Sequence, residues 1–278
     1  LSGVSNILTI NCNENGYYSK YKSDRHGFNN PDEEWDKKNI DYLLLGDSFT
    51  HGFCVNRPND IASILRNLSG KSVLNLGYGG NGPLIEYATL KEYVKPNIKN
   101  IIWFYYEGND IENLRNELNS EILNKYLTSF NFTQNLKQRQ DDVNFIVNDY
   151  LSFHYSKITR LYFSLKKIWF NLSKKEIGNE KKQDLVELLK HFSDIINFAK
   201  KVSIENNSNL FFVYLPEIDR YKKKNYKNNL YKEIKQVVED SDIPFIDINK
   251  EVFKNESNPL ELFPFKNFSH YTVEGYDK

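Results

Sequence analysis

The stretch LLLGDSFTHGF, residues 43–53, runs from an apolar segment directly into Gly-Asp-Ser and a second glycine. A short apolar run bounded by turn residues is typical of a strand that is buried on both faces. Ser48 would then lie at the carboxyl end of that strand, where a hydroxyl contributes nothing to core packing. An ordinary strand-to-helix turn, in which Asp47 or Ser48 caps the next helix, is the alternative interpretation of this tripeptide.

The rest of the chain alternates between strand and helix patterns. Further apolar runs of strand length follow at 71–78, 99–110, 208–216 and 243–248. Between 184 and 203, apolar residues recur every three or four positions, which predicts an amphipathic helix. Strands that alternate with helices predict a parallel sheet covered on both faces. We therefore predict an α/β fold, a three-layer sandwich with a central, mainly parallel five-stranded sheet of the flavodoxin-like kind.

Three more motifs fall where a site would collect in such a sheet, since ligands bind at the carboxyl ends of its strands. NLGYGGNGP (75–83) follows the second strand, and EGND (107–110) follows the third. NFSHYTVEGY (267–276), near the end of the chain, contains His270. Each motif alone is explained by a tight turn, an Asx turn at Asn109 or a surface histidine. The order serine, glycine, asparagine, histidine, with the first three at successive strand ends, favours one shared site.

These motifs resemble the four sequence blocks of the SGNH hydrolases, the GDSL-type esterase and lipase superfamily, including its bacterial envelope-associated members. The resemblance spans roughly residues 41–278. It implies that Ser48 is the nucleophile and His270 the catalytic base. It also implies an oxyanion hole made of the backbone N–H groups of Ser48 and Gly80 and the side-chain amide of Asn109. A histidine suits the role of base because its proton affinity matches neutral pH.

The sequence departs from the family pattern at one position, three residues before the histidine. The family usually has an aspartate there, and this chain has Asn267. We expect Asn267 to orient His270 through its side-chain oxygen, which would leave a Ser48–His270 dyad. The alternatives are a carboxylate from elsewhere in the loop, with Glu261 or Asp247 nearest in sequence, or an inactive site.

The resemblance implies an ester hydrolase that removes a small acyl group, such as acetyl, from a small acylated substrate. A carbohydrate is the acyl carrier that family analogy favours. Two alternatives stay open: an O-acyltransferase that passes the acyl group to a sugar hydroxyl, and a non-catalytic binding domain of the same fold. The four motifs do not separate water from a sugar as the acceptor.

Composition excludes several other classes of function. Lysine plus arginine equals aspartate plus glutamate at 37 each, so the formal net charge is zero and gives no attraction to nucleic acid. No apolar stretch approaches the roughly 18 to 20 residues of a membrane span. No cysteine and histidine cluster has zinc-site spacing, so we expect no metal and no cofactor.

The chain has two cysteines, Cys12 and Cys54, and we expect both to be buried thiols. The alternative is a disulfide between them, which would tie the N-terminal segment beside the proposed site. His51 lies three residues after Ser48, and we expect it to be a packing or surface residue rather than a second base.

We predict an N-terminal strand-and-turn extension over 1–40 and a hydrolase domain over 41–278, with a helical insertion at about 111–183. Within the insertion, 157–169 has helical spacing with basic residues on the other positions. We expect it to pack on the core, and a lid or a membrane-surface contact is the alternative. The chain begins at Leu1 and contains no methionine, so we expect its natural start to be missing. Localisation, in the bacterial envelope or the cytoplasm, and oligomeric state are left open.

Overall fold

The computed structural model describes residues 1–154, 181–226 and 230–278. Two short strands, β1 (Leu8–Ile10) and β2 (Lys20–Lys22), form an antiparallel hairpin. The central sheet contains β3 (Ile40–Leu45), β4 (Val73–Asn75), β5 (Ile98–Tyr106), β6 (Asn209–Leu215) and β7 (Phe245–Asp247). All its pairings are parallel, in the order β4-β3-β5-β6-β7. The predicted α/β fold with a five-stranded parallel sheet is therefore confirmed.

Helices connect these strands and cover the sheet. The α-helices span Ser48–His51, Ile61–Ser69, Pro83–Tyr93, Asp110–Glu117, Glu121–Thr128, Gln140–His154, Lys181–Glu205, Asp219–Lys222, Tyr231–Asp240, Ile248–Glu251 and Val273–Asp277. The 3-10 helices span Asp32–Asp36, Leu136–Gln138, Phe253–Asn255, Pro259–Leu262 and Pro264–Lys266. The described part of the predicted insertion is helical, whereas the basic segment 157–169 lies outside the described residues.

The first strand of the sheet is buried as its sequence indicates. Leu43, Leu44 and Leu45 have no exposed surface, because β3 is flanked by β4 and β5 and covered on both faces. One apolar core lies under the helices Pro83–Tyr93 and Lys181–Glu205. A second core lies on the other face, under the helix Ile61–Ser69 and the C-terminal turns.

This strand order determines where the loops of the site meet. β3 lies between β4 and β5, with Leu44 opposite Asn75 and Leu45 opposite Trp103. The loops that follow these three strands therefore leave the sheet side by side at one edge. Parallel sheets place their functional sites at this edge.

The turn after β3 requires its first glycine. Gly46 has a φ of 149°, and a Cβ there would lie 2.2 Å from Thr50 Oγ1 and 2.9 Å from the Phe104 carbonyl oxygen. Asp47 then caps the helix Ser48–His51 by accepting from the Phe49 N–H at 2.9 Å. Asp47 thus supplies the structural turn, while the Ser48 side chain stays available at the sheet edge.

The sheet face beside the helix Ile61–Ser69 carries an open apolar groove of about 530 Å³. Side chains of β3, β5, β6 and β7 form its floor, and the helix Val273–Asp277 borders it. None of the predicted site residues lines this groove. Across the described residues, no helix combines the length and the apolar character that spanning a bilayer requires.

Candidate active site

The structure brings together the two residues predicted to carry the chemistry. Ser48 begins the short helix after β3, and His270 lies in the loop before the helix Val273–Asp277. His270 Nε2 lies 2.9 Å from Ser48 Oγ. Ser48 is 8% exposed, so most of its surface is shielded from solvent. This is the distance at which an imidazole can take a hydroxyl proton.

The position of His270 follows from packing on either side of it. Its ring lies against the rings of Phe49 and Phe53, with centroids 5.0 and 5.4 Å away. Two residues later, the Thr272 hydroxyl caps the final helix by accepting from the Gly275 N–H at 3.0 Å. The rings of Phe49 and Phe53 and the start of the final helix therefore fix the position of the histidine.

The other nitrogen of the imidazole faces Glu14, which sequence reasoning did not identify. His270 Nδ1 lies 3.1 Å from Glu14 Oε1, and the His270 backbone N–H donates to Glu14 Oε2 at 3.2 Å. Burial raises the pKa of Glu14, but the hydrogen bonds and the charge of His270 outweigh it and hold that pKa below its ordinary value. The carboxylate that faces Nδ1 is therefore ionised, although it lies 256 residues away in the sequence.

A disulfide brings this carboxylate to the site. Cys12 and Cys54 are bonded, with their Cα atoms 4.8 Å apart, so the expectation of two buried thiols is wrong and the alternative holds. Cys54 belongs to the turn after the nucleophile, and its Sγ lies 3.5 Å from His270 Nδ1. Since Glu14 follows Cys12 by two residues, the bridge places it beside the imidazole. The pairing of Cys12 with Cys54 was the sequence signal that could have identified Glu14.

Asn267 does not orient the histidine in the structure. Its Oδ1 accepts from Lys222 Nζ at 2.7 Å, and the residue is exposed. The two carboxylates considered as substitutes are also engaged elsewhere. Glu261 is exposed and pairs with Lys266, while Asp247 caps the helix Ile248–Glu251. The N-terminal segment, rather than the histidine loop, supplies the carboxylate.

Gly80 and Asn109, the predicted oxyanion donors, follow the strands on either side of β3. Apart from its chain neighbours, no heavy atom of the described residues would lie within 4 Å of a Cβ on Gly80, so this backbone borders open space. The Asn109 side chain makes no capping hydrogen bond to its helix, and its Oδ1 has no partner among the described residues. Glu117, at the end of the helix that follows Asn109, accepts from the Gly82 N–H at 2.6 Å and so connects this helix to the residues after Gly80.

His51 packs against the loop that carries Gly80. It is 2% exposed, and burial lowers its pKa to about 3, which keeps the ring neutral. Its Nδ1 accepts from the Gly79 N–H at 3.3 Å, and its ring stacks on Tyr78 at 5.0 Å. The contacts of His51 therefore point away from Ser48 and into the packing of the loop that carries Gly80.

Among the described residues, one group of side chains has the composition of a metal site: Cys12, Glu14, Cys54 and His270. Their donor atoms lie within 4.8 Å of one another. The two sulfurs are bonded to each other, however, and a metal binds the thiolate form of cysteine. As long as the disulfide is intact, this cluster offers a histidine and a carboxylate that are already hydrogen-bonded to each other.

No protein-family model and no curated protein sequence matches this chain. Several solved structures are similar to it, each over 86% of its length. One, a Desulfitobacterium hafniense protein assigned to the lipolytic G-D-S-L family, has 16% identity, 94% of its own chain covered and a TM-score of 0.47. The acetyl xylan esterase AlAXEase has 14% identity, 94% coverage and a TM-score of 0.45. The psychrotrophic esterase EstA from Pseudoalteromonas has 9% identity, 91% coverage and a TM-score of 0.40.

Proposed function

We propose that this protein is a serine esterase of the SGNH type, which removes a small acyl group such as acetyl from a carbohydrate ester. The observation that carries the proposal is the 2.9 Å contact between Ser48 Oγ and His270 Nε2 at the carboxyl end of the central strand. A binding domain would have no chemical need for a serine paired in this way with a base. The carbohydrate and the acetyl group come from the family resemblance.

In the first half of the reaction, Ser48 Oγ attacks the ester carbonyl carbon while its proton passes to His270 Nε2. The resulting tetrahedral intermediate collapses, and the bond from the carbonyl carbon to the alcohol oxygen breaks. His270 gives its proton to the departing alcohol, which leaves an acyl group on Ser48. In the second half, His270 takes a proton from water as that water attacks the acyl carbon, and Ser48 recovers the proton as the acid leaves.

The loops beside β3 supply the electrostatic part of the mechanism. The carbonyl oxygen becomes negatively charged in the tetrahedral intermediate, and N–H groups aimed at it stabilise the charge. We assign this role to the backbone N–H groups of Ser48 and Gly80 and to the Asn109 amide. One such donor typically contributes a hundred- to a thousandfold in rate, or about 3 to 4 kcal/mol.

One structural feature supports a small acyl group. The apolar groove beside the helix Ile61–Ser69 is lined by neither Ser48 nor His270, so it gives no channel for a long acyl chain leading from the nucleophile.

The test is labelling with a fluorophosphonate, which reacts with an activated serine. We expect one label on Ser48, located by mass spectrometry, and hydrolysis of p-nitrophenyl acetate that is lost in Ser48→Ala. Ser129→Ala, on an exposed residue, is the matched control and should retain full labelling and turnover. A folded wild-type chain that neither reacts with the probe nor hydrolyses acetyl esters would overturn the proposal.

Product analysis separates hydrolysis from transfer. With acetylated substrate and saturating free sugar, an esterase gives free acetate, and mass spectrometry should show no new acetyl sugar. Formation of acetylated acceptor as the main product would instead assign the chain to the acyltransferases.

A further inference from the structure

We infer that Glu14 is a positioning residue for His270, held in place by the Cys12–Cys54 disulfide, so that activity depends on the oxidation state of this disulfide. The inference rests on the proposed function, because it concerns the base of the same site. Glu14 lies in the N-terminal segment, outside the four sequence motifs that gave the rest of the site.

The two oxygens of Glu14 fix the histidine at two points. Oε1 faces Nδ1 at 3.1 Å, and Oε2 accepts from the backbone N–H of the same residue at 3.2 Å. With the carboxylate ionised, Nδ1 carries the proton and Nε2 is left as the acceptor for Ser48. A carboxylate in this position selects the tautomer and stabilises the imidazolium that forms during attack.

No other acid among the described residues takes this position. Asp47 is the other carboxylate close to the pair, with Oδ2 at 3.3 Å from Ser48 Oγ. Its Oδ1 accepts from the Phe49 N–H, and burial raises its pKa to about 6. Asp47 therefore lies on the nucleophile side of the pair and has no hydrogen bond with Nδ1.

The segment that carries Glu14 has few other attachments near the site. It joins β1 to β2, two strands of three residues each, and Leu8 and Ile10 on β1 are 64% and 68% exposed. Asn15 adds two hydrogen bonds, from its Nδ2 to the carbonyl oxygens of Cys54 and Tyr271. β2 is better anchored, since Tyr21 is buried and the Lys20 N–H donates to Asn56 Oδ1 at 2.8 Å. None of residues 11–18 between the two strands is buried, however, so this loop has little local stability of its own. The disulfide, two residues from Glu14, is the covalent connection between this segment and the turn after Ser48.

Reduction would release the segment. A phosphine reductant transfers two electrons to the disulfide, the Sγ–Sγ bond breaks, and each sulfur gains a proton from water. The phosphine takes the oxygen of that water and becomes a phosphine oxide. Once the disulfide is open, Glu14 is held by the hairpin, by the Asn15 hydrogen bonds and by its own contacts with His270, and we expect the carboxylate to leave Nδ1 for part of the time.

The first experiment compares Glu14→Gln with wild type in p-nitrophenyl acetate hydrolysis. We expect kcat to fall by a hundred- to ten-thousandfold, with KM changed by less than about threefold, because the amide favours the wrong tautomer and carries no charge. Glu14→Asp keeps the charge and should recover part of the loss. Glu33→Gln, on an exposed acid of the 3-10 helix Asp32–Asp36, is the control and should match wild type.

A pH profile distinguishes positioning from a merely structural role. Removing the negative charge beside Nδ1 makes the protonated ring less favourable. The acidic limb of kcat/KM should therefore move to lower pH in Glu14→Gln, with Asp47 still present in both proteins. A profile that falls uniformly without moving would show that Glu14 acts only by packing.

The second experiment tests the disulfide. Phosphine reduction, and separately the double variant Cys12→Ser with Cys54→Ser, should lower kcat of wild type at least tenfold. Reduction of Glu14→Gln should then have little further effect, since the disulfide acts through Glu14. Thermal unfolding and circular dichroism check that each protein stays folded. A reduced wild type with full activity would overturn the dependence on the disulfide.

The outcomes separate this inference from the proposed function. If Ser48→Ala is inactive but Glu14→Gln keeps more than half of wild-type kcat, Glu14 is not a positioning residue and the esterase proposal stands. If Ser48→Ala is as active as wild type, the proposed function itself is wrong.

Discussion

The two halves of the proposed site are built differently. Ser48, Gly80 and Asn109 follow three adjacent strands, so the backbone hydrogen bonds of one parallel sheet fix their relative positions. His270 and Glu14 come from near the two ends of the chain, outside the sheet, and a disulfide, a capped helix and a few side-chain hydrogen bonds hold them together. The comparison teaches that the nucleophile half is secured by the fold as a whole, whereas the base half depends on individual contacts.

The largest effect should come from removing the base. In His270→Ala, the imidazole that takes the Ser48 proton is gone. Asp47 Oδ2 is still 3.3 Å from Ser48 Oγ, but it cannot pass the proton on as the imidazole does, and we expect kcat to fall by about 10⁴- to 10⁶-fold. Steady-state kinetics with p-nitrophenyl acetate measure this. His191→Ala, on a partly buried histidine of the helix Lys181–Glu205, is the control and should keep its activity. A loss of less than tenfold in His270→Ala would show that a different residue acts as the base.

The oxyanion side is expected to contribute less. Asn109→Ala should lower kcat by about a hundred- to a thousandfold with little change in KM, because the amide acts on a charge present only in the transition state. Asn116→Ala, on an exposed asparagine of the same helix, should be neutral. An effect of Asn109→Ala confined to KM would mean that this side chain binds substrate rather than the oxyanion.

Replacing Gly80 by alanine should disturb the backbone of the loop that follows β4. Gly80 and Gly70 both have a positive φ, at 85° and 65°, and both have open space where a Cβ would lie. An alanine should therefore cost about 1 to 2 kcal/mol of stability at either position, measured by urea unfolding. Only Gly80→Ala should also lose about tenfold in kcat, since its N–H would be displaced from the oxyanion. Equal activities of the two variants would remove Gly80 from the site.

The same contrast explains what the sequence could predict. The apolar run ending at Ser48 and the motifs with Gly80 and Asn109 are local patterns. Parallel pairing of their strands brings the three following loops to the same end of the sheet, so the fold and this grouping of loops could be predicted, whereas the oxyanion roles stay a prediction. Glu14 has no such local pattern. Its position depends on a disulfide that two cysteines in the sequence permit but do not require, and on a loop between β1 and β2 that buries little apolar surface.

Asn267 shows that a local sequence pattern can also predict a contact that the structure does not contain. The family pattern made it the expected partner of His270, because it lies three residues away in sequence. In the structure, Phe265 and Lys266 have a positive φ of 52° and 54°, and Asn267 is exposed. Its side chain meets Lys222 instead of the imidazole. Short sequence separation did not guarantee contact in a loop of this shape.

The smallest effect is therefore expected for Asn267→Asp. An aspartate can keep the contact with Lys222 Nζ, now as an exposed ion pair that contributes about 0 to 1 kcal/mol. Glu14 already makes the hydrogen bond with His270 Nδ1, so the new carboxylate finds no free donor on the imidazole. We therefore expect kcat to stay within about twofold of wild type. The decisive measurement is the same substitution in Glu14→Gln. If the base half is organised by Glu14 alone, Asn267→Asp does not restore activity there; recovery of tenfold or more would show that the histidine loop can turn to supply its own carboxylate.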